Sequence, residues 1–172
     1  MTQAPPRAAG TPDEVDRITE AWHRERPDLD VAPLQVLSRV TRLSRHIDLA
    51  RRQAFAAHDL ETWEFDVLAA LRRSGPPYSL SAGQLGSQTH VTSGTMTNRI
   101  DRLEQRGLVR REAEPADRRG VRVVLAEAGR SAVDDALADL MARERDILDV
   151  LPSTAQAELA TLLRRLVRSF AD

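Results

Sequence analysis

The stretch Thr89-His-Val-Thr-Ser-Gly-Thr-Met-Thr-Asn-Arg99 gathers short polar side chains where a helix would begin. Ser93, Thr95, Thr97 and Asn98 can hydrogen-bond phosphate oxygens or base edges, and the free N–H groups of a helix start also favour a phosphate. Gly94 would let such a helix approach a duplex closely. Further along lie Arg110, Arg111, Arg118, Arg119 and Arg122. An arginine at a hairpin tip can enter a minor groove, and Asp117 beside Arg118 and Arg119 can fix a guanidinium by a bidentate pair. Each residue alone has a plainer reading. Ser and Thr at a helix start serve as caps, and an arginine run interspersed with acids can be a solvated face. It is their order along the chain that favours nucleic-acid chemistry.

The elements needed to position these residues can be read from periodicity. Ser81 to Ser87 forms a short helix, and Thr92-Ser93 opens another that carries Met96, Ile100 and Leu103 and ends at Gly107. Between Leu108 and Leu125 the period becomes alternating. One strand starts at Val109, a second carries Val121, Val123 and Leu125, and a polar tip from Glu114 to Gly120 joins them. Two helices, a tight turn and a two-stranded ribbon make a winged helix-turn-helix from about Tyr78 to Leu125. Its second helix is the one expected in a major groove.

Around this module the pattern is helical. Acids after Pro12 open a short amphipathic helix with Val15, Ile18 and Trp22, and Pro27 stops it. A long helix begins near Ala32-Pro33 and runs through Leu34, Leu37, Val40 and Ile47 to Ala57. A third starts at Glu61 and stops at Ser74-Gly75-Pro76-Pro77. From Glu127 a long helix follows, and a last one, with Ser153 as its N-cap, carries Leu159, Leu162, Leu163, Leu166, Val167 and Phe170. The expected architecture is mainly α: a winged helix-turn-helix with long N- and C-terminal dimerisation helices. The expected segments are a disordered tail (1–12), an extra N-terminal helix (13–30), a dimerisation helix (31–60), the DNA-binding module (61–125) and C-terminal interface helices (126–172). The apolar faces at 34–57 and 159–170 exceed what one small domain must bury, which points to a homodimer.

Composition narrows the chemistry. All 25 cationic residues are Arg, and the net charge of −1 excludes a uniformly basic surface but not a basic face. The absence of cysteine excludes disulfides, thiolate metal sites and thiol catalysis. His23, His46, His58 and His90 have no metal-ligand spacing. There is no Gly-rich phosphate loop or nucleophile elbow, so no enzyme and no cofactor is expected. No apolar run approaches the roughly 20 residues of a membrane span, and no apolar signal segment is visible, so a cytoplasmic protein without membrane partners is expected.

The run Thr95-Met-Thr-Asn-Arg-Ile-Asp-Arg-Leu-Glu-Gln-Arg-Gly-Leu-Val-Arg-Arg111, followed by Asp117-Arg-Arg-Gly-Val-Arg-Val-Val-Leu-Ala-Glu-Ala-Gly129, resembles the MarR family of bacterial regulators. The spaced Asp, Arg, Val, Leu and Gly of the second run match the family's wing signature, and residues 31 to 172 fit the whole domain. Two positions depart from the pattern: Ala126, where the family often has Thr, and Gly120, often Ser. The first removes a helix cap worth roughly 1 kcal/mol. The resemblance implies a homodimer on a pseudo-palindromic double-stranded DNA operator, read by Ser93, Thr95, Thr97, Asn98, Arg118 and Arg119.

The extra N-terminal helix makes the chain similar to the family's urate-responsive branch. That likeness implies a site for a small anionic effector at Trp22, Asp66, Arg99 and Arg111. A flat anion would stack on Trp22 and be held by an arginine. Asp66, among apolar neighbours, would be a buried carboxylate needing a cation such as Arg99. Because Arg99 lies in the reading helix, a ligand there would couple to DNA. The effector expected is urate or a similar purine, with citrate-like, aconitate-like or phenolic ligands as alternatives. In a plainer alternative Trp22 only packs its helix, Asp66 and Arg99 form a static ion pair, and the protein binds DNA without an effector.

Overall fold

Asp13 decides where the first helix begins. Its carboxylate accepts the backbone N–H groups of Val15 (2.7 Å) and Asp16 (3.1 Å), and the Asp16 side chain accepts from Asp13 N, a capping box. Helix α1 then runs Glu14–Glu25. Helix α2 (Ala32–Ala56) follows. The structure is a computed structural model. It describes residues 11–114 and 117–170, with the backbone alone at 114 and 117–120. The expected tail at 1–12 therefore falls almost wholly outside the described residues. The chain divides into two compact units, Met1–Asp48 and Leu49–Asp172, and the boundary falls within α2.

In the first unit, Arg39 of α2 gathers the start of α1. Its guanidinium donates to Asp13 (2.8 Å) and Asp16 (2.9 Å), while Arg42 reaches Glu14 at 3.2 Å. Val15 is buried, and so is Thr19, whose hydroxyl donates to the Val15 carbonyl at 2.8 Å. Val36, Leu37, Val40 and Leu43 of α2 are exposed.

The second unit holds the main core. Helix α3 (Thr62–Arg73) is capped by Glu61. Phe65 stacks on Phe55 with ring centroids 4.0 Å apart. Leu68, Leu71, Leu85, Met96, Leu103, Val123 and Val133 are buried around them. Strand β1 (Ser79–Ser81) leads into α4 (Ala82–Thr89) and α5 (Ser93–Gln105). Strands β2 (Val109–Glu114) and β3 (Asp117–Leu125) form the wing, in a sheet of order β1-β3-β2, all antiparallel. The register pairs Leu80 with Val123 and Val109 with Leu125, and a bulge lies between Ala113 and Glu114. Helices α6 (Glu127–Leu148) and α7 (Ser153–Arg168) complete the chain.

Several features depart from the sequence reading. Strand β1 was not expected, because three residues are too few to show an alternation. Ser153 is the first residue of α7 rather than its cap. The N-cap is Pro152, whose carbonyl accepts from Gln156 N at 3.1 Å, and the Gln156 side chain donates to the Leu148 and Leu151 carbonyls at the end of α6. Ala126 is the N-cap of α6 and makes no side-chain cap bond. No described residue of α7 is buried. Among the described residues no helix is long and apolar enough to cross a membrane, and no cluster of acidic, histidine or cysteine side chains could hold a metal ion.

Candidate nucleic-acid interface and effector cleft

The reading helix α5 is oriented by its apolar spacing. Met96, Ile100 and Leu103 lie on one face and are buried, so Ser93, Thr95, Thr97 and Asn98 must point outward, and all four are exposed. The actual cap is Thr92, whose hydroxyl accepts from Thr95 N and meets the Thr95 hydroxyl at 3.0 Å. The Thr97 hydroxyl returns to the Ser93 carbonyl at 3.1 Å. The side chains of Ser93 and Asn98 make no hydrogen bond to any described residue, which leaves their full capacity for a ligand. Gly107, at φ 69°, ends the helix, with Leu108 N donating to the Leu103 carbonyl at 2.9 Å. The next strand thus leaves at a fixed angle. The side chains of Asp117, Arg118 and Arg119 lie outside the described residues.

One flank of α5 faces the start of α3. Arg102 donates to Glu61 at 2.7 Å, and Arg106 reaches both Glu64 (2.6 Å) and Asp59 (2.7 Å). The Glu64 side chain is 1% exposed, and its hydrogen bond holds the Arg106 guanidinium above its usual range. Trp63 Nε1 donates to Glu61 at 2.8 Å, and that bond, with the Arg102 guanidinium, holds the Glu61 carboxyl below the ordinary value. Arg99 and Arg102 both lie over the Trp63 ring, at 5.4 and 4.8 Å from its centroid. The other flank of α5 faces the wing. Arg111 of β2 pairs with Asp101 and Glu104, and its backbone N–H donates to Glu104 at 2.9 Å.

Arg99 opens into a cleft of 610 Å³ lined by Arg52, Ala56, Leu60, Glu61, Thr62, Trp63, Asp66 and Arg99. Of the four effector positions expected from sequence, two therefore meet: Asp66 and Arg99. Arg111 is engaged by α5 and does not line this cleft. Trp22 belongs to the Met1–Asp48 unit and is 51% exposed. Asp66 is not the buried carboxylate the sequence suggested. Its side chain is 43% exposed, and its cation is Arg51 at 3.4 Å, not Arg99. The buried acid of α3 is Glu64. It shares its face with Leu68 and Leu71, four and seven residues on, whereas Asp66 sits a half-turn away. Arg52 and Trp63 were also missed as lining residues, because nothing local sets them apart.

A reading helix, a wing behind it and outward polar groups at its start are the working parts of a DNA-binding regulator, and the comparisons agree. Residues 58–120 match the MarR family profile. The chain is 39% identical over 159 residues to the HTH-type transcriptional regulator PecS of Dickeya dadantii (strain 3937), covering 92% of this chain and 96% of that one. This chain belongs to the MarR family. A MarR family protein from Bacillus stearothermophilus has the same fold, with a TM-score of 0.71 at 19% identity over 84% of this chain and 99% of that one. Bordetella bronchiseptica BpsR, whose DNA binding is regulated by 6-hydroxynicotinic acid, superposes with a TM-score of 0.63 at 26% identity, over 77% of this chain and 92% of that one. The winged helix of this MarR member is thus its DNA-binding module, and its relatives are regulators of transcription rather than enzymes.

Proposed function

We propose that this MarR-family protein is a ligand-responsive repressor. It holds a pseudo-palindromic operator as a homodimer and releases it when a small anionic metabolite, urate or a similar purine, occupies the cleft. The observation that carries this reading is the position of Arg99. It sits on the reading helix, lines the cleft, and has an aromatic ring but no carboxylate as its partner among the described residues. A flat anion could take the carboxylate's place, with Asp66 accepting a ring N–H. The regulation of BpsR's DNA binding by 6-hydroxynicotinic acid, a flat heteroaromatic acid, supports such a ligand class. In this proposal Trp22 keeps the effector role that the resemblance implies, and Arg111 holds α5 in register through Asp101 and Glu104. The exposed apolar faces of α2 and α7 support a dimer: Val36, Leu37, Val40 and Leu43 on one, Leu162, Leu163, Leu166 and Val167 on the other.

The test is operator binding by fluorescence anisotropy, titrated with urate. Release is expected from the parent and is blunted in Asp66→Ala and Trp22→Phe, with DNA affinity retained. An Asp66→Ala protein that responds like the parent refutes the site. In the same assay Arg118→Ala weakens binding and lowers the salt slope by about one.

A further inference from the structure

Resting on the reading of this cleft as the effector site, we infer that it is built for an anion with two separated charged groups. One is held by Arg99 and the other by Arg52, which makes Arg52 a specificity-determining residue. Four ionic side chains line the cleft, two acids and two arginines. Both acids are already neutralised from outside the lining, Asp66 by Arg51 at 3.4 Å and Glu61 by Arg102 at 2.7 Å. Neither arginine is. Arg99 rests on the Trp63 ring, and Arg52 has no hydrogen-bond or ion-pair partner among the described residues. The cleft therefore presents two guanidinium groups that have no carboxylate partner among the described residues, from two different helices, α2 and α5.

A guanidinium pairs best with a carboxylate in a planar, two-pronged geometry, and one carboxylate offers that two-oxygen edge to one arginine at a time. A monoanion such as urate meets one of the two arginines, while a dianion meets both, so a dianion is the tighter ligand of the same cleft. Ala56, Leu60 and Trp63 supply an apolar wall for the body between the two groups. The ligand class is a compact dicarboxylate or an equivalent dianion with a flat or short apolar middle. Arg52 is exposed at the end of α2, so replacing it leaves the core untouched.

Benzoate and isophthalate share a ring and differ by one carboxylate, so calorimetric titration of the full-length protein with each isolates the second charge. Isophthalate should bind the parent at least about tenfold more tightly than benzoate, the strength of one charge-assisted contact. In Arg52→Gln that preference should vanish, with benzoate affinity, operator affinity and melting temperature unchanged. Arg99→Gln should weaken both ligands. Equal binding of the two ligands by the parent overturns the inference, as does an intact preference in Arg52→Gln. Loss of operator affinity in ligand-free Arg52→Gln also overturns it, by making Arg52 a phosphate contact. A urate titration separates this failure from that of the site itself. If urate binds the parent but not Asp66→Ala while isophthalate has no advantage, only the two-charge inference falls. If urate, benzoate and isophthalate all fail to bind the parent, the cleft is not the effector site and both readings fall.

Discussion

Replacing Glu64 by alanine tests whether the reading helix is anchored where the geometry says it is. Truncating one member of a buried ion pair generally costs roughly 3–5 kcal/mol, because a charge is left stranded. Here the stranding is partial. Arg106 keeps Asp59 at 2.7 Å, and its side chain is 34% exposed. What is lost outright is the charge-assisted hydrogen bond from Arg106 at 2.6 Å, about 1.5–3 kcal/mol. The bond that Glu64 accepts from Glu61 N at 2.9 Å also goes, a capping contact worth about 1 kcal/mol. The expected destabilisation is therefore about 3 kcal/mol. Urea unfolding of parent, Glu64→Ala, Arg106→Ala and the double variant gives the total and the coupling energy. Glu64→Gln keeps the volume and the capping acceptor and should lose about half as much. A cost for Glu64→Ala under about 1 kcal/mol, the level of a surface pair, would refute the argument, as would a coupling energy near zero.

Three further outcomes follow from the same geometry. A Cβ on Gly129 would lie 2.1 Å from the Leu108 carbonyl oxygen, which also accepts from Ala126 N at 3.1 Å, so Gly129→Ala should cost about 1–3 kcal/mol by overpacking; a melting temperature equal to the parent's would contradict it. Ala126 has the extended backbone of an N-cap (φ −75°, ψ 162°) but no capping side chain, so Ala126→Thr should add about 1 kcal/mol, read as a rise in the urea midpoint. The capping backbone bond from Asp13 N and the hydrogen bond from Arg39 hold the Asp16 carboxyl below its ordinary 3.8, and Arg39 does the same for Asp13. A lowered native value stabilises above the unfolded value and is lost as pH falls through the native one. The stability difference between parent and Arg39→Ala should accordingly be constant from neutral pH to about 5 and disappear below the native values in acid; a difference that persisted there would refute the assignment.

Much of the fold could be read from the sequence because its boundaries are written in local chemistry. Asp13, Thr92 and Gly107 each mark a helix end with a side chain or a backbone conformation that few other residues supply. The reading-helix residues were legible for the same reason: Met96, Ile100 and Leu103 fix which face is buried. The cleft was only half legible. Between Glu64 and Asp66 the period of α3 carries the answer, since Glu64 repeats with Leu68 and Leu71, but an acid is ordinarily expected to avoid a core, which works against that repeat. Arg52 has no local signal at all. It is the second of two adjacent arginines on an exposed helix surface, and only the folded chain brings it to the same cleft as Arg99. Residues 114–120 posed a different difficulty: the wing signature is plain in sequence, but it says nothing of where the Arg118 and Arg119 guanidiniums point.

The ties on α5 are not spread evenly along it. Every ion pair it makes among the described residues involves Asp101, Arg102, Glu104 or Arg106. These clamp the C-terminal half from both flanks, to α3 and to β2. The half that carries Ser93 to Asn98 has no such tie, and Arg99 sits at the border, held only by its contact with Trp63. A cation–π contact at a partly exposed site is worth about 0.5–1 kcal/mol, less than the 1.5–3 kcal/mol of a charge-assisted hydrogen bond. On the proposed reading, an effector carboxylate draws Arg99 from Trp63 at a net gain, and the movement falls on the untied half, which that reading turns toward DNA. The surplus, about 1–2 kcal/mol, corresponds to roughly a five- to thirtyfold loss of operator affinity if it is all expressed as a preference for the displaced helix. A complete switch from 1:99 to 99:1 needs about 5.5 kcal/mol. One arginine in one subunit does not supply that; in the proposed homodimer two clefts acting together would double the surplus to about 2–4 kcal/mol, so a partial release of operator is expected rather than a complete switch.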